Sequence, residues 1–192
     1  MKQPTDDQIR EWAEKISLGD RNAFNELFRC FYPQLVKFAC RYTRSREAAC
    51  DVVQDAFITV WQKHRGIDPG RSLKAYLYQI VRNKALNYLR DYADRTVSLE
   101  PMETITLTSD EHTDEEALDG QTSGTTPELL REWISRLPER RREALELSRF
   151  DGLDHTEIAG VMEVSPNTVN NHIVAALSFL KECYEEYQQN VE

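Results

Sequence analysis

Apolar residues recur three and four positions apart along most of the 192-residue chain, the spacing that gathers them on one face of an α-helix. No stretch alternates strictly between apolar and polar residues as an exposed strand does. Before the middle of the chain the pattern predicts about four helices, approximately at residues 6–18, 20–43 with an interruption near Pro33, 46–64 and 72–93. The pattern therefore predicts an all-α fold.

Helix-start signals support this prediction. Thr5 with Gln8, and Asp154 with Glu157, have the spacing of capping boxes, in which side chains satisfy the first backbone N–H groups of a helix. In the second half of the chain, prolines at 127, 138 and 166 stand where helices are expected to open.

Charge divides the chain into three segments. Residues 1–95 hold 17 Lys and Arg against 12 Asp and Glu, whereas residues 96–127 hold eight acidic residues and no basic one. This middle segment has few apolar residues, too few to offset the entropy lost on ordering. We therefore predict two small helical domains, residues 1–95 and 127–192, joined by a flexible acidic linker at 96–126.

The predicted helix at 46–64 has two distinct faces. Six apolar residues at helical spacing form the face expected to be buried: Val52, Val53, Ala56, Phe57, Val60 and Trp61. The opposite stripe combines carboxylates and amides with one aliphatic residue: Asp51, Gln54, Asp55, Ile58 and Gln62. Such a mixture is found on surfaces that dock on another protein. The alternative is an ordinary solvated face with one stray aliphatic residue, which periodicity alone favours, since lone exposed apolar residues are common.

The next helix is basic and rich in tyrosine. Its apolar residues are expected to face the core: Leu73, Tyr76 or Leu77, Ile80, Val81 and Leu89. Around them lie the cations Lys74, Arg82, Lys84, Arg90 and Arg95, the amides Asn83 and Asn87, and the interleaved rings Tyr76, Tyr78, Tyr88 and Tyr92. Cations attract phosphates, and rings and amides can bind unpaired bases, so this composition suits single-stranded nucleic acid. A basic solvated helix with half-buried tyrosines is the alternative.

The stretch from Asp154 to Lys181 has the arrangement of a helix-turn-helix: a capped helix, a short turn, and a second helix opened by Ser165 and Pro166. The second helix is expected to bury Val169, Ile173, Ala176, Leu177 and Leu180. It is expected to expose Asn167, Asn170, Asn171, Val174 and Ser178. Outward asparagines can bind adenine in the major groove, and this favours base recognition over a plain αα-hairpin.

Together, "DVVQDAFITVW", "LKAYLYQIVRNKALNYLR" and "LDHTEIAGVMEVSPNTVNNHIVAALSFLK" resemble a bacterial RNA polymerase sigma factor of the extracytoplasmic-function (ECF) subfamily of the sigma-70 family. The resemblance covers nearly the whole chain. It implies a transcription initiation factor that binds core RNA polymerase and promoter DNA, as duplex at the -35 element and as melted non-template strand at the -10 element. Many members are held inactive by an anti-sigma factor, which makes such a protein a candidate partner here.

The resemblance also implies residue roles. For core polymerase binding it implies Asp51, Gln54, Asp55 and Ile58, supported by Phe57 and Trp61. For the -10 element it implies Tyr76, Arg82, Asn83, Lys84, Asn87 and Arg90. For the -35 element it implies Asn167, Thr168, Asn170, Asn171 and His172. Many relatives carry Lys or Arg where this chain has Asn170, His172 and Ala175. We therefore expect weak DNA binding by the C-terminal domain alone and a -35 preference richer in A·T pairs.

Other functional classes fit less well. The motif "VSPNTVNNHI" also resembles the DNA-binding module of quorum-sensing or response regulators, but the first half lacks the α/β alternation of their sensor domains. The four cysteines and four histidines form no metal-ligand motif and no catalytic arrangement. We expect no catalytic residues, cofactor, metal or small-molecule substrate. The polar N-terminus and the lack of a long apolar window predict a cytoplasmic protein that is not embedded in a membrane.

Overall fold

In a computed structural model of the chain, which describes residues 4–97 and 126–191, all regular structure is helical. The predicted acidic linker lies largely outside the described residues. The helices are α1 (Asp6–Ser17), α2 (Arg21–Thr43), α3 (Arg46–Gln62), a 3-10 turn (His64–Gly66), α4 (Leu73–Val97), α5 (Thr126–Arg136), α6 (Glu139–Arg149), α7 (His155–Met162) and α8 (Pro166–Val191). The all-α prediction is confirmed. We call α1 to α4 the N-terminal domain and α5 to α8 the C-terminal domain.

The N-terminal domain is a bundle in which α2, α3 and α4 pack against one another and α1 lies against α2. The side chains of Leu27, Phe31, Leu35 and Val53 are almost completely buried at its centre. The expected interruption near Pro33 is wrong, because α2 runs continuously through it. Proline removes one backbone N–H, but burial of Phe31 and Leu35 on either side stabilises the helix.

Two predicted core residues are exposed. Leu89 is 37 % exposed, although it continues the buried spacing of Leu77, Val81 and Ala85. Residues 89–93 are all exposed, so α4 extends here beyond the helices that cover its earlier turns. Leu177 is 39 % exposed, because Ala176 takes the buried position beside it on α8.

The two domains share one apolar core. Leu147, Leu153, Ile158 and Met162 of the C-terminal domain belong to the same buried cluster as the residues of the N-terminal bundle, with α7 packed against α4. A smaller cluster inside the C-terminal domain joins α5, α6 and α8. This packing brings the helix-turn-helix close to the basic helix α4.

Candidate functional site

The outer face of α3 is formed as the sequence predicts. The Ser45 side chain accepts a hydrogen bond from the Ala48 backbone N–H and starts the helix. Asp51, Gln54 and Asp55 are exposed, and Ile58 between them is 53 % exposed. The result is one continuous stripe of carboxylates and an amide around an aliphatic side chain.

Aromatic packing on the buried side of α3 holds this exposed face in position. The ring of Phe57 is buried, with its centroid 4.8 Å from that of Phe28 and 5.9 Å from that of Phe24. The ring centroid of Trp61 lies 5.0 Å from that of Phe24, and the Trp61 ring stacks on the His64 ring. Phe57 and Trp61 thus brace the helix that carries the exposed stripe.

A groove of about 480 Å³ lies between α3 and α4. Its charged and amide side chains come from both helices: Glu47, Asp51, Asp55, Lys84, Asn87 and Asp91. Four carboxylates against one ammonium group make the groove negative, so it favours a basic partner. Lys84 and Asn87, which the sequence analysis assigned to DNA, therefore border the same groove as the acidic residues of α3.

The remaining polar residues of α4 fall on two stripes. At 100° per residue, Tyr76, Asn83, Asn87 and Arg90 lie within about 60° of one another. Asn87 and Arg90 are exposed, Tyr76 and Asn83 are half-buried, and Arg90 donates a 3.1 Å hydrogen bond to the Asn87 amide oxygen. These four candidates for the -10 element share one face of α4, which is exposed at Asn87 and Arg90.

Arg82 lies about 100° away from Asn83, on a stripe that faces the C-terminal domain. It is only 5 % exposed, and its Nε donates to Glu143 Oε1 at 2.5 Å. The Tyr42 hydroxyl donates to the same carboxylate oxygen. In this arrangement Arg82 is paired with a carboxylate and is shielded from solvent, unlike the other candidates on α4.

A second polar cluster lies one turn earlier on α4. The Tyr78 hydroxyl donates to Asp151 Oδ1 at 3.0 Å, and Arg41 donates to Asp151 Oδ2 at 3.1 Å and pairs with Glu146 at 3.3 Å. Burial raises the pKa of Asp151 and of Glu146 above the usual carboxyl range, and it raises the pKa of Tyr78.

This polar interface between the domains was not predicted from the sequence. Three further hydrogen bonds cross it along α4: Ser72 Oγ donates to Glu157 Oε1 at 2.5 Å, Lys74 Nζ to the Gly152 carbonyl at 2.8 Å, and Asn83 Nδ2 to Glu163 Oε1 at 3.5 Å. Its only sequence signal is Glu143 beside the apolar residues Ala144 and Leu145, which alone does not identify the partner arginine.

The helix-turn-helix is built as predicted. The capping box of Asp154 and Glu157 starts α7, and Glu163 ends it in the left-handed region at φ 57°. Ser165 Oγ accepts the Thr168 backbone N–H at 3.1 Å and opens α8, and it also bonds to the Thr168 hydroxyl. A turn of this length and these caps set the angle at which α8 leaves α7.

The first turns of α8 present the residues expected to contact the -35 element. Asn167, Asn170 and Asn171 are exposed, whereas Thr168 and His172 are half-buried. Val169 and Ile173 lie on the opposite, buried face. Among the residues expected to contact the -35 element, the fully exposed ones are thus amides without a formal charge.

Within residues 4–97 and 126–191, no cluster of His, Cys, Asp and Glu has the form of a metal site. No helix in those ranges is long and apolar enough to cross a membrane.

Both domains match families of known proteins. The family model of sigma-70 region 2 matches residues 27–96, and that of sigma-70 region 4 matches residues 128–180. The chain is 31 % identical over 185 residues to the ECF RNA polymerase sigma-E factor of Escherichia coli strain K12, covering 92 % of this chain and 93 % of that protein. It is 28 % identical to the RNA polymerase sigma-H factor of Pseudomonas aeruginosa, covering 90 % of this chain and 91 % of the relative.

The fold also resembles a solved structure. The sigma factor RpoE of Bartonella quintana, in complex with the anti-sigma factor NepR, aligns with a TM-score of 0.61 at 21 % identity. The alignment covers 84 % of this chain and 96 % of that one.

Proposed function

Because the chain belongs to the extracytoplasmic-function sigma factors of the sigma-70 family, it directs core RNA polymerase to promoters, and we propose which of its surfaces carry out each step. The observation that carries the assignment is the order of two matches in one chain: a region 2 domain followed by a region 4 helix-turn-helix. A stand-alone regulator is not favoured, because the similarity extends over both domains rather than over the helix-turn-helix alone.

We assign core polymerase binding to the outer face of α3. Asp51, Gln54 and Asp55 supply charge and hydrogen-bonding groups, and Ile58 supplies apolar surface that is exposed in the unbound chain. An exposed aliphatic side chain ringed by polar groups has the composition of an interface centre with its rim. The adjacent negative groove extends the same charge toward α4, so we expect a basic partner surface.

We assign the melted -10 strand to α4. Tyr76 can stack on an unpaired base, Asn83 and Asn87 can hydrogen-bond to base edges, and Arg90 can pair with a phosphate. Lys84 is placed to contribute from the side of the groove. Arg82 joins this set only when Glu143 releases it.

We assign the -35 element to the start of α8. Asn167, Asn170 and Asn171 are the exposed amides, and an asparagine makes paired hydrogen bonds to adenine. Thr168 and His172 flank them. With no Lys or Arg among these residues, few phosphates are neutralised, so affinity depends on polymerase holding the DNA nearby.

The chemistry of RNA synthesis belongs to core polymerase, and we assign this chain no catalytic role. It acts in the cytoplasm, where polymerase and promoter DNA meet. An anti-sigma factor is a candidate partner, because the similar Bartonella quintana protein was solved with one.

Run-off transcription with core polymerase on genomic fragments tests the proposal. We expect new start sites preceded by shared -10 and -35 sequences, with A·T pairs enriched in the -35 element. Tight dimeric binding to a palindromic operator without any effect on core polymerase would contradict the function. A G·C-rich -35 motif would contradict only the assigned role of the asparagines.

A further inference from the structure

We propose that a cavity between α2, α5 and α6 binds a nucleoside polyphosphate. The cavity has a volume of about 500 Å³ and is lined by residues from the end of α2, from α5, and from α6 with the Phe150 that follows it. That volume lies in the range of cavities that hold small molecules. None of the lining residues is among those assigned to core polymerase or to DNA, so the cavity is a site separate from promoter recognition.

The two most buried carboxylates of the cavity are already matched by cations. Glu143 is bonded to Arg82 at 2.5 Å, and Arg140 approaches it to 3.7 Å. Glu146 pairs with Arg41 at 3.3 Å, and burial raises the pKa of the Glu146 carboxyl above its usual range. These carboxylates therefore add little negative charge to the cavity.

Guanidinium groups dominate the rest of its charge. Arg44, Arg131 and Arg142 line the cavity, and the remaining carboxylate is that of Glu139. Arg44 is exposed, and in the described part of the chain its side chain makes no hydrogen bond or ion pair. Arg142 Nη1 donates to the Ser135 carbonyl at 3.2 Å, which fixes the side chain and leaves most of its N–H groups available. Planar guanidinium groups form paired hydrogen bonds with phosphate oxygens, so the cavity suits a phosphate-bearing ligand.

An aromatic surface lies beside these cations. Phe150 caps the end of α6, where its backbone N–H donates to the Glu146 carbonyl at 2.9 Å, and the residue is 57 % exposed. Single exposed rings are common on protein surfaces, but this one forms a wall of the cavity together with Ile134. A nucleobase can stack on such a ring while its phosphates reach the arginines. An inorganic phosphate would use the arginines alone, so the ring points to a nucleotide.

The arginines come from two different parts of the fold. Arg44 follows the last residue of α2 and adopts the left-handed conformation at φ 52°, whereas Arg142 belongs to α6. A chain of phosphates can contact both, which favours a polyphosphate over a monophosphate. Because such a ligand binds the folded chain and not the unfolded one, its binding should raise the melting temperature.

Calorimetric titration of the full-length chain with ATP and with GTP tests the site. Adenosine and inorganic tripolyphosphate represent the two halves of the ligand. Arg44→Asn removes one guanidinium group and introduces a residue that tolerates the left-handed conformation, and Phe150→Leu removes the ring but keeps an apolar side chain. Arg29→Ala, at an exposed position of α2 outside the cavity, is the control with the same change in charge as Arg44→Asn. Circular dichroism verifies that helix content is unchanged.

At least one of the two nucleotides should bind with one-to-one stoichiometry and raise the melting temperature. Arg44→Asn and Phe150→Leu should each weaken this binding by about tenfold, and Arg29→Ala should leave it unchanged. Adenosine and tripolyphosphate should each bind about tenfold more weakly than the nucleotide, because each makes only one of the two kinds of contact.

Failure of both nucleotides to bind would overturn the proposal, as would equal weakening by Arg44→Asn and by the control. Tripolyphosphate that binds as tightly as the nucleotide, or Phe150→Leu that binds like wild type, would also overturn it, since the ring would then play no part. The titrations need neither polymerase nor DNA, so their outcome does not depend on the proposed function in transcription.

Discussion

The exposed faces of α3 and α8 begin in the same way and differ in chemistry. Each helix is opened by a serine whose side chain accepts a backbone N–H from three residues ahead, Ser45 in α3 and Ser165 in α8. The face of α3 then carries two carboxylates around the exposed Ile58, whereas the start of α8 exposes three asparagines and the aliphatic Val174 and no acidic or basic residue.

The contrast distinguishes a surface that supplies affinity from one that supplies selectivity. Charge drives association, and it is concentrated on the outer face of α3, whereas the start of α8 has no acidic or basic residue. Amides form directional hydrogen bonds that depend on the partner's donors and acceptors, and they contribute little to attraction at a distance. Substitutions on the two faces should consequently have different signatures.

The largest effect is expected from charge reversal on α3. Asp55→Arg should weaken core polymerase binding by about 100-fold, because it removes an attraction and adds a repulsion at a basic partner surface. Titration of labelled protein with core enzyme measures this. Glu14→Arg on the exposed face of α1 makes the same change in charge and should bind normally. Loss of helix content in Asp55→Arg would contradict the outward placement of the residue.

Truncation of the exposed aliphatic residue Ile58 should have the second largest effect on core polymerase binding. Ile58→Ala should reduce core affinity by about tenfold, because an apolar side chain at an interface centre loses its buried contacts. Leu18→Ala removes a comparable side chain from a position that is 89 % exposed and should leave the affinity unchanged. Equal affinities for these two variants would make α3 an ordinary solvated face.

On α8 the effect should appear in sequence preference. Asn171→Ala should reduce discrimination between the preferred -35 sequence and a single-pair variant by about fivefold, while core binding stays the same. Competition between two promoters in holoenzyme transcription measures the ratio. Ser178→Ala, exposed two turns further along α8, is the matched control. An equal loss of transcription from both promoters would indicate that Asn171 positions the helix on DNA without recognising a base.

The smallest expected effect is on the salt dependence of DNA binding. The affinity of the full-length chain for a -35 duplex should fall only gently with salt, and Asn170→Lys should steepen the logarithmic slope by about one unit, since one more phosphate is neutralised. Affinity measured across a salt series gives the slope. An unchanged slope would mean that position 170 does not approach the DNA backbone.

Local patterns predicted much of this molecule. The buried and exposed faces of α3, the capping box of α7 and the outward asparagines of α8 all depend on periodicity and neighbouring residues, and all are confirmed in the structure. The errors at Pro33, Leu89 and Leu177 arose where burial is decided by other helices.

The contact between the domains could not be predicted in this way. Arg82 and Glu143 are 61 positions apart, and each looks like a surface residue in its own helix. A pairing of that kind depends on how two complete faces fit together, which periodicity within one helix does not encode. The assignment of Arg82 to DNA is compatible with its burial against Glu143 only if the domains separate.

Because the two domains share one apolar core, the free energy of separating them should depend on temperature. Leu153, Ile158 and Met162 lie in the same buried cluster as the N-terminal bundle, so separation brings part of that apolar surface into contact with water. Exposure of apolar surface to water raises the heat capacity of the protein. The stabilisation that burial of this surface provides therefore weakens on cooling. Separation of the two domains should therefore become less unfavourable on cooling.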